Sequence, residues 1–239
     1  MTKGHAGNKC RHEYKYVCSA AQRAILKIRA QGILERDKHA GMDGCYGVRS
    51  LYFDDLEDSC YYENESGIGE RDKYRIRIYN RSCNRITLEK KSKVRGMTLK
   101  LSSSITVEQC REMMAGKRIP VTEDMNGTLK QILTEMYIKN MHPKVIVEYV
   151  RYPFTGKNGN VRITFDEGIC SSNDFKGFLE QDISLRPIME CGRGILEVKW
   201  DEYFPDFIKS SMQLDSLLWS SFSKYYLCRR YNVYGGIRI

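Results

Sequence analysis

The segment KYRIRIY (residues 73–79) alternates side chains with a period of two, and that period constrains the fold more than any other feature of the chain. A strand sends successive side chains to opposite faces, so Lys73, Arg75 and Arg77 share one face and Tyr74, Ile76 and Ile78 the other. The same division recurs along the sequence. Arg11, Glu13 and Lys15 lie opposite Tyr14 and Tyr16, while Glu89, Lys91 and Lys93 line up in the next candidate hairpin. Arg162, Thr164 and Asp166 oppose Val161, Ile163 and Phe165; Glu197 and Lys199 oppose Leu196, Val198 and Trp200; Tyr149 and Arg151 share a face.

Strand periodicity covers residues 10–17, 47–54, 72–79, 84–91, 95–101, 144–152, 160–166 and 194–200. Helical character falls at 19–31, with Ser19 as a candidate N-cap, and at 106–115, 125–140, roughly 203–218 and 221–230. Residues 154–160 (FTGKNGN) read as a hairpin turn. Strands that follow one another in runs, with helices grouped between the runs, predict an α+β fold with a mainly antiparallel sheet. A single domain over residues 1–239 is expected, with its core over about 10–228.

Charged faces on an antiparallel sheet ordinarily meet water. Here they recur on strand after strand with an excess of cations, and like charges side by side on a sheet cost roughly 0.2–1 kcal/mol a pair unless an anion lies between them. Turning the charged faces inward gives a closed antiparallel β-barrel with a charged lumen, its apolar outside covered by amphipathic helices. A lumen of guanidinium and ammonium groups suits an extended polyanion. Glutamates among those cations (Glu13, Glu89, Glu197) are the hard oxygen donors that a divalent metal would need.

Composition agrees with a polyanionic ligand: 39 lysines and arginines against 30 acidic residues give a formal charge of +9. Nucleic acid is disfavoured as that ligand, because the strand aromatics fall opposite the basic residues and form no stacking platform among them. The nine cysteines are scattered singly without a CxxC spacing, as expected of free thiols. His5, His12, His39 and His142 fit no catalytic constellation, and of these only His12, on a strand, is a candidate for burial. MTKGHAGNKC lacks the apolar core of a secretory signal, and the chain has no run of about 20 apolar residues, so the cytoplasm is the expected compartment. Any membrane attachment is then peripheral, through a separately encoded membrane protein.

Eight segments in order resemble one known family: HEYKY (12–16), RSLYFDD (49–55), KYRIRIY (73–79), LEKK (88–91) with Lys100 after a glycine turn, EYVRYPF (148–154), VRITFD (161–166), ILEVKW (195–200) and FSKYYL (222–227). The chain is similar over most of its length to the vacuolar transporter chaperone (VTC) catalytic domain, a polyphosphate polymerase within the triphosphate tunnel metalloenzyme fold. The resemblance implies transfer of the terminal phosphoryl group of ATP to a growing inorganic polyphosphate chain, with Mn2+ or Mg2+ as cofactor. It implies that Lys15, Arg75, Arg77 and Lys91 act on the phosphates in catalysis. Lys100, Tyr149, Arg151, Arg162, Lys199, Ser223 and Lys224 are the implied substrate contacts, and Glu197 is the implied metal ligand, joined by Glu13 from the strand reading.

Two other readings use the same lumen: a CYTH-like triphosphatase and a non-catalytic polyphosphate-binding protein. Aligned on Lys15, the CYTH motif ExExK has its second glutamate at Glu13 but its first at Arg11, and that departure favours the polymerase. A pure polyanion binder gains little from a carboxylate such as Glu197 beside its ligand. On the picture of an overcrowded cationic lumen, removing Arg75 and Arg77 together is expected to raise the melting temperature of the ligand-free protein.

Overall fold

The computed structural model describes residues 11–94 and 96–233; the readings of His5, Cys10 and Arg95 lie outside these residues. In chain order the strands are β1 (His12–Cys18), β2 (Glu35–Arg36), β3 (Tyr46–Asp54), β4 (Arg71–Tyr79), β5 (Ser82–Val94), β6 (Met97–Ile105), β7 (His142–Gly156), β8 (Val161–Ser172), β9 (Arg186–Pro187) and β10 (Gly194–Trp200). The helices are α1 (Ala20–Ile33), α2 (Ser59–Glu65), α3 (Val107–Met114), α4 (Gly127–Ile138), α5 (Asp206–Met212) and α6 (Lys224–Val233).

One antiparallel sheet runs in the order β1-β10-β8-β7-β3-β4-β5-β6, with β2 added to β7 and β9 to β8. The α+β reading therefore stands, whereas the closed barrel does not: the sheet curls into an open half-barrel whose edges are β1 and β6. Among the described residues those edges are bridged at one pair, Arg11 and Thr98, joined by two backbone hydrogen bonds of 3.2 Å. Closure stops there because β1 has another partner on its free edge. Trp219 bridges to Tyr16, and the Ser220 amide donates to the Lys15 carbonyl at 2.8 Å.

Alternation decides what each face packs against. On β4, Tyr74, Ile76 and Ile78 are fully buried on the convex side, together with Leu51, Leu88, Ile132 and Leu133. A second convex cluster joins Leu196, Val198, Ile163 and Phe165 to Leu26 and Ala30 of α1 and to Ile208 and Met212 of α5. Burying a large apolar side chain is worth about 1.5–3 kcal/mol, so these two layers hold the curl in shape. Charge is not confined to the concave side, however. Arg49 is 1% exposed on the convex side, where it pairs with Glu148 and donates to the carbonyls of Phe178, Glu180 and Gln181.

Ser19 caps α1 as expected: its Oγ accepts from the Gln22 amide at 3.2 Å, and the Gln22 side chain accepts from the Ser19 amide at 2.9 Å. The helix expected over 203–218 is shorter, because Gln213 takes φ 50° and ends α5 at Met212. The short α2 escaped the periodicity reading; seven residues carry too few turns to show an apolar stripe. Residues 154–160 do form a hairpin, with Gly156 opposite Val161. Its Gly159 has φ 68°, and a Cβ there would come within 2.5 Å of the Tyr203 carbonyl oxygen. His12, the candidate for burial, is exposed and stacks on Trp200 at 5.2 Å. Among the described residues no helix is long and apolar enough to cross a membrane.

Candidate functional site

The curl gathers the charged strand faces around a cavity of about 140 Å³. Its wall includes Glu13 and Lys15 from β1, Arg75 and Arg77 from β4, Lys91 from β5, Tyr149 and Arg151 from β7, and Glu197 and Lys199 from β10. The segment from Trp219 to Tyr225 crosses the concave side and adds Ser223 and Lys224. Ser223 also starts α6, its Oγ accepting from the Tyr226 amide at 3.2 Å, so the helix cap fixes both side chains.

Two of the residues expected at the site lie off this wall. Lys100 is 45% exposed at its side chain and, from β6 on the far side of β5 from Arg75, reaches Glu89 at 2.5 Å. Arg162 is drawn elsewhere, donating to the Tyr46 hydroxyl at 3.0 Å and pairing with Asp37 at 2.9 Å. Conversely, the wall holds residues outside the expected site set: Tyr52, Asn64, Arg71, Lys73, Lys93 and the stretch 219–222. Lys73 and Lys93 carried a signal, since each sits two positions from an expected cation. Residues 219–221 carried none, and Phe222 only its place at the start of FSKYYL.

The cavity is not a bare cationic tunnel, because carboxylates are threaded through it. Across β1 and β10 the register sets Glu13 opposite Lys199 and Lys15 opposite Glu197. Glu13 pairs with Lys15 at 2.8 Å, Lys91 at 2.7 Å and Lys199 at 3.7 Å. Glu197 pairs with Lys199 at 3.1 Å, Arg151 at 3.3 Å and Lys15 at 3.9 Å. Glu89 binds Arg75 at 2.6 Å and Arg77 at 3.7 Å besides Lys100. Asp166 holds Arg151 at 2.7 Å and Lys224 at 2.6 Å.

These contacts set the protonation states. Burial opposes ionisation of Glu13, yet the ammonium groups of Lys15, Lys91 and Lys199 hold its carboxyl well below the usual range. Glu197 is likewise buried but brought down to about 2 by Lys199 and Lys15, against the nearby charge of Glu13. Burial pushes the Lys91 ammonium down to about 7, with Glu13 opposing. For Lys224 burial is outweighed by Asp166, and its pKa rises.

Glu89 and Asp166 convert directly into acid sensitivity. Burial would raise both, but Arg75, Arg77 and Lys100 lower Glu89, and Arg151 and Lys224 lower Asp166. A carboxyl depressed in the folded state contributes stability that is present above its unfolded pKa of about 4 and lost as pH falls from there through the folded value. Urea midpoints are expected to fall steadily below about pH 4, and Glu89→Gln to flatten that slope. An unchanged slope in the variant excludes Glu89 as a source of the acid sensitivity.

Among the described residues no three histidines, cysteines or carboxylates cluster as a metal cage. Glu13 and Glu197 do supply two ionised carboxylates side by side at the cavity wall. That donor set fits a hard divalent cation that completes its shell with phosphate and water oxygens.

Two solved structures share this architecture. A Hippeastrum protein, assigned as an adenylyl cyclase and found to have a dominant triphosphatase activity, aligns with TM-score 0.55 at 12% identity, covering 93% of this chain and 95% of its own. A Bacillus halodurans protein assigned as an adenylate cyclase aligns with TM-score 0.50 at 11% identity, covering 97% of this chain and 92% of its own. At such identities the likeness is one of fold. A comparison with curated proteins finds no match. The VTC domain model matches residues 10–231. Because that match runs from the first strand through most of the helix that follows Ser223, the chain belongs to the VTC domain family.

Proposed function

We propose that this protein is a metal-dependent polyphosphate polymerase that transfers the terminal phosphoryl group of ATP to inorganic polyphosphate. The observation that carries the reading is the cavity wall, where seven of the expected cations converge beside the paired carboxylates Glu13 and Glu197. In the reaction, a terminal oxygen of the polyphosphate chain attacks the γ-phosphorus of ATP. The bond from that phosphorus to the β–γ bridging oxygen breaks, ADP leaves with the electron pair, and the chain grows by one phosphate.

The acceptor is already an oxyanion, so no side chain has to remove a proton. What remains for the protein is positioning and charge neutralisation. Lys15, Arg75, Arg77 and Lys91 surround the transferring group, while Tyr149, Arg151, Lys199, Ser223 and Lys224 hold the flanking phosphates. Lys100 contributes through Glu89, which aims the guanidinium groups of Arg75 and Arg77. Arg162 acts outside this set. Glu13 and Glu197 are the residues that would hold Mg2+ or Mn2+, which would supply positive charge against that developing on ADP. The lysines now bonded to those glutamates would then be free to turn onto phosphate.

The triphosphatase described for the Hippeastrum protein supports a second reading, in which the same wall presents a triphosphate to water. The acceptor distinguishes the two. Incubated with ATP and Mn2+, the protein is expected to produce a ladder of polyphosphate on a gel in step with ADP. Release of free phosphate without a ladder would establish the triphosphatase instead.

A further inference from the structure

One end of the cavity is charged differently from the rest. β4 and β5 pair with Arg71 opposite Lys93 and Lys73 opposite Lys91, and all four side chains line the cavity. Alternate residues of a strand stand about 6.6 Å apart, so Lys73 and then Arg71 extend the cationic wall outward from Arg75 in two steps. Elsewhere each cavity cation has a carboxylate. Among the described residues none forms an ion pair with Arg71, Lys73 or Lys93, although Glu13, Glu89, Asp166 and Glu197 each collect two or three cations.

The partners of these residues are neutral. Lys73 donates to Asn64 Oδ1 at 2.8 Å and to Ser223 Oγ at 2.7 Å, and Arg71 donates to the Ile68 carbonyl at 2.6 Å. Burial, reinforced by the charges of Lys15, Lys91 and Arg71, holds the Lys73 ammonium well below its ordinary pKa. Burial together with Arg71 and Lys15 also lowers Lys93. Adjacent like charges on a sheet are unfavourable, and in the free protein they are opposed only from a distance, by Glu13 for Lys73 and Lys93 and by Glu63 for Arg71. An anion settling among them would offset them directly.

We propose that Arg71, Lys73 and Lys93 form a separate oxyanion subsite at the cavity mouth, which holds phosphates of a linear polyphosphate beyond those seated against Arg75, Arg77 and Lys91. The assignment rests on the polyphosphate reading above. Its consequence is selection by length: a short chain fills the inner wall alone, whereas a longer one reaches both groups of cations. Charge-assisted bonds to phosphate are strong, so the outer contacts add about tenfold or more in affinity. They also bias the enzyme toward extending long chains instead of starting new ones.

Calorimetric titration with tripolyphosphate and with a longer linear polyphosphate, at fixed salt, tests the subsite. Wild type is expected to bind the longer chain at least about tenfold more tightly than the trimer. In Lys73→Gln/Lys93→Gln that ratio should collapse to the statistical gain from the extra binding registers of a long chain. Lys93→Gln alone, at the partly exposed end of β5, should move it in the same direction, and Lys73→Arg/Lys93→Arg should restore it. If the glutamine variants keep the wild-type ratio, the subsite is wrong while the polyphosphate reading stands. If wild type binds neither chain, the polyphosphate reading itself fails and the subsite with it.

Discussion

The Glu197→Gln variant is expected to lose at least about 100-fold in turnover while keeping its fold, since even indirect partners of a metal ligand are worth 10–100-fold. Glutamine preserves the volume and removes the charge that a divalent cation requires. The structure indicates why the fold should survive. Arg151 retains Asp166 at 2.7 Å, Lys15 retains Glu13 at 2.8 Å, and Lys199 retains Glu13 at 3.7 Å, so no cation loses its last carboxylate. Turnover titrated with Mn2+, alongside a melting curve, checks both halves. Wild-type turnover at the wild-type metal requirement would remove Glu197 from the proposed metal site.

Arg75→Ala/Arg77→Ala is expected to melt well below wild type and to be inactive. From the sequence alone the opposite change in stability is expected, because three cations on one strand face suggest relief when two are removed. The structure reverses the sign through Glu89, which is 1% exposed and bonded to both guanidinium groups as well as to Lys100. The double variant leaves that carboxylate buried with Lys100 alone. Breaking a buried ion pair from one side costs about 3–5 kcal/mol, or roughly 6–20 °C in a chain of this size. Adding Glu89→Leu should return most of the melting temperature without returning activity, because an apolar group replaces the stranded charge. A triple variant that melts no higher than the double would refute this account.

The contrast between those two expectations marks the boundary between local and tertiary information. Which side chains share a face follows from a period of two, which any segment carries within itself. Arg75 and Arg77 against Ile76 and Ile78, and Glu197 and Lys199 against Leu196 and Val198, were legible for that reason. The same holds for the Ser19 cap, whose partner Gln22 is three residues away. Eight ordered segments carried the family, and the domain match over 10–231 agrees with them.

Which charge neutralises which is a different kind of fact. Glu13 meets Lys91, and Asp166 meets Lys224, only because strand register and the curl of the sheet bring distant segments together. Arg49 has the local pattern of a sheet residue like any other, yet lies on the convex face, held by Glu148 on the neighbouring β7. No periodicity announces that Trp219 and Ser220 occupy the free edge of β1 and keep the barrel from closing along its length, since two residues repeat nothing. The sequence by itself determined the faces, because alternation is a property of each strand alone. The tertiary structure decided the charge balance of the cavity, because a buried cation is governed by the carboxylate packed against it, however far away along the chain that carboxylate lies.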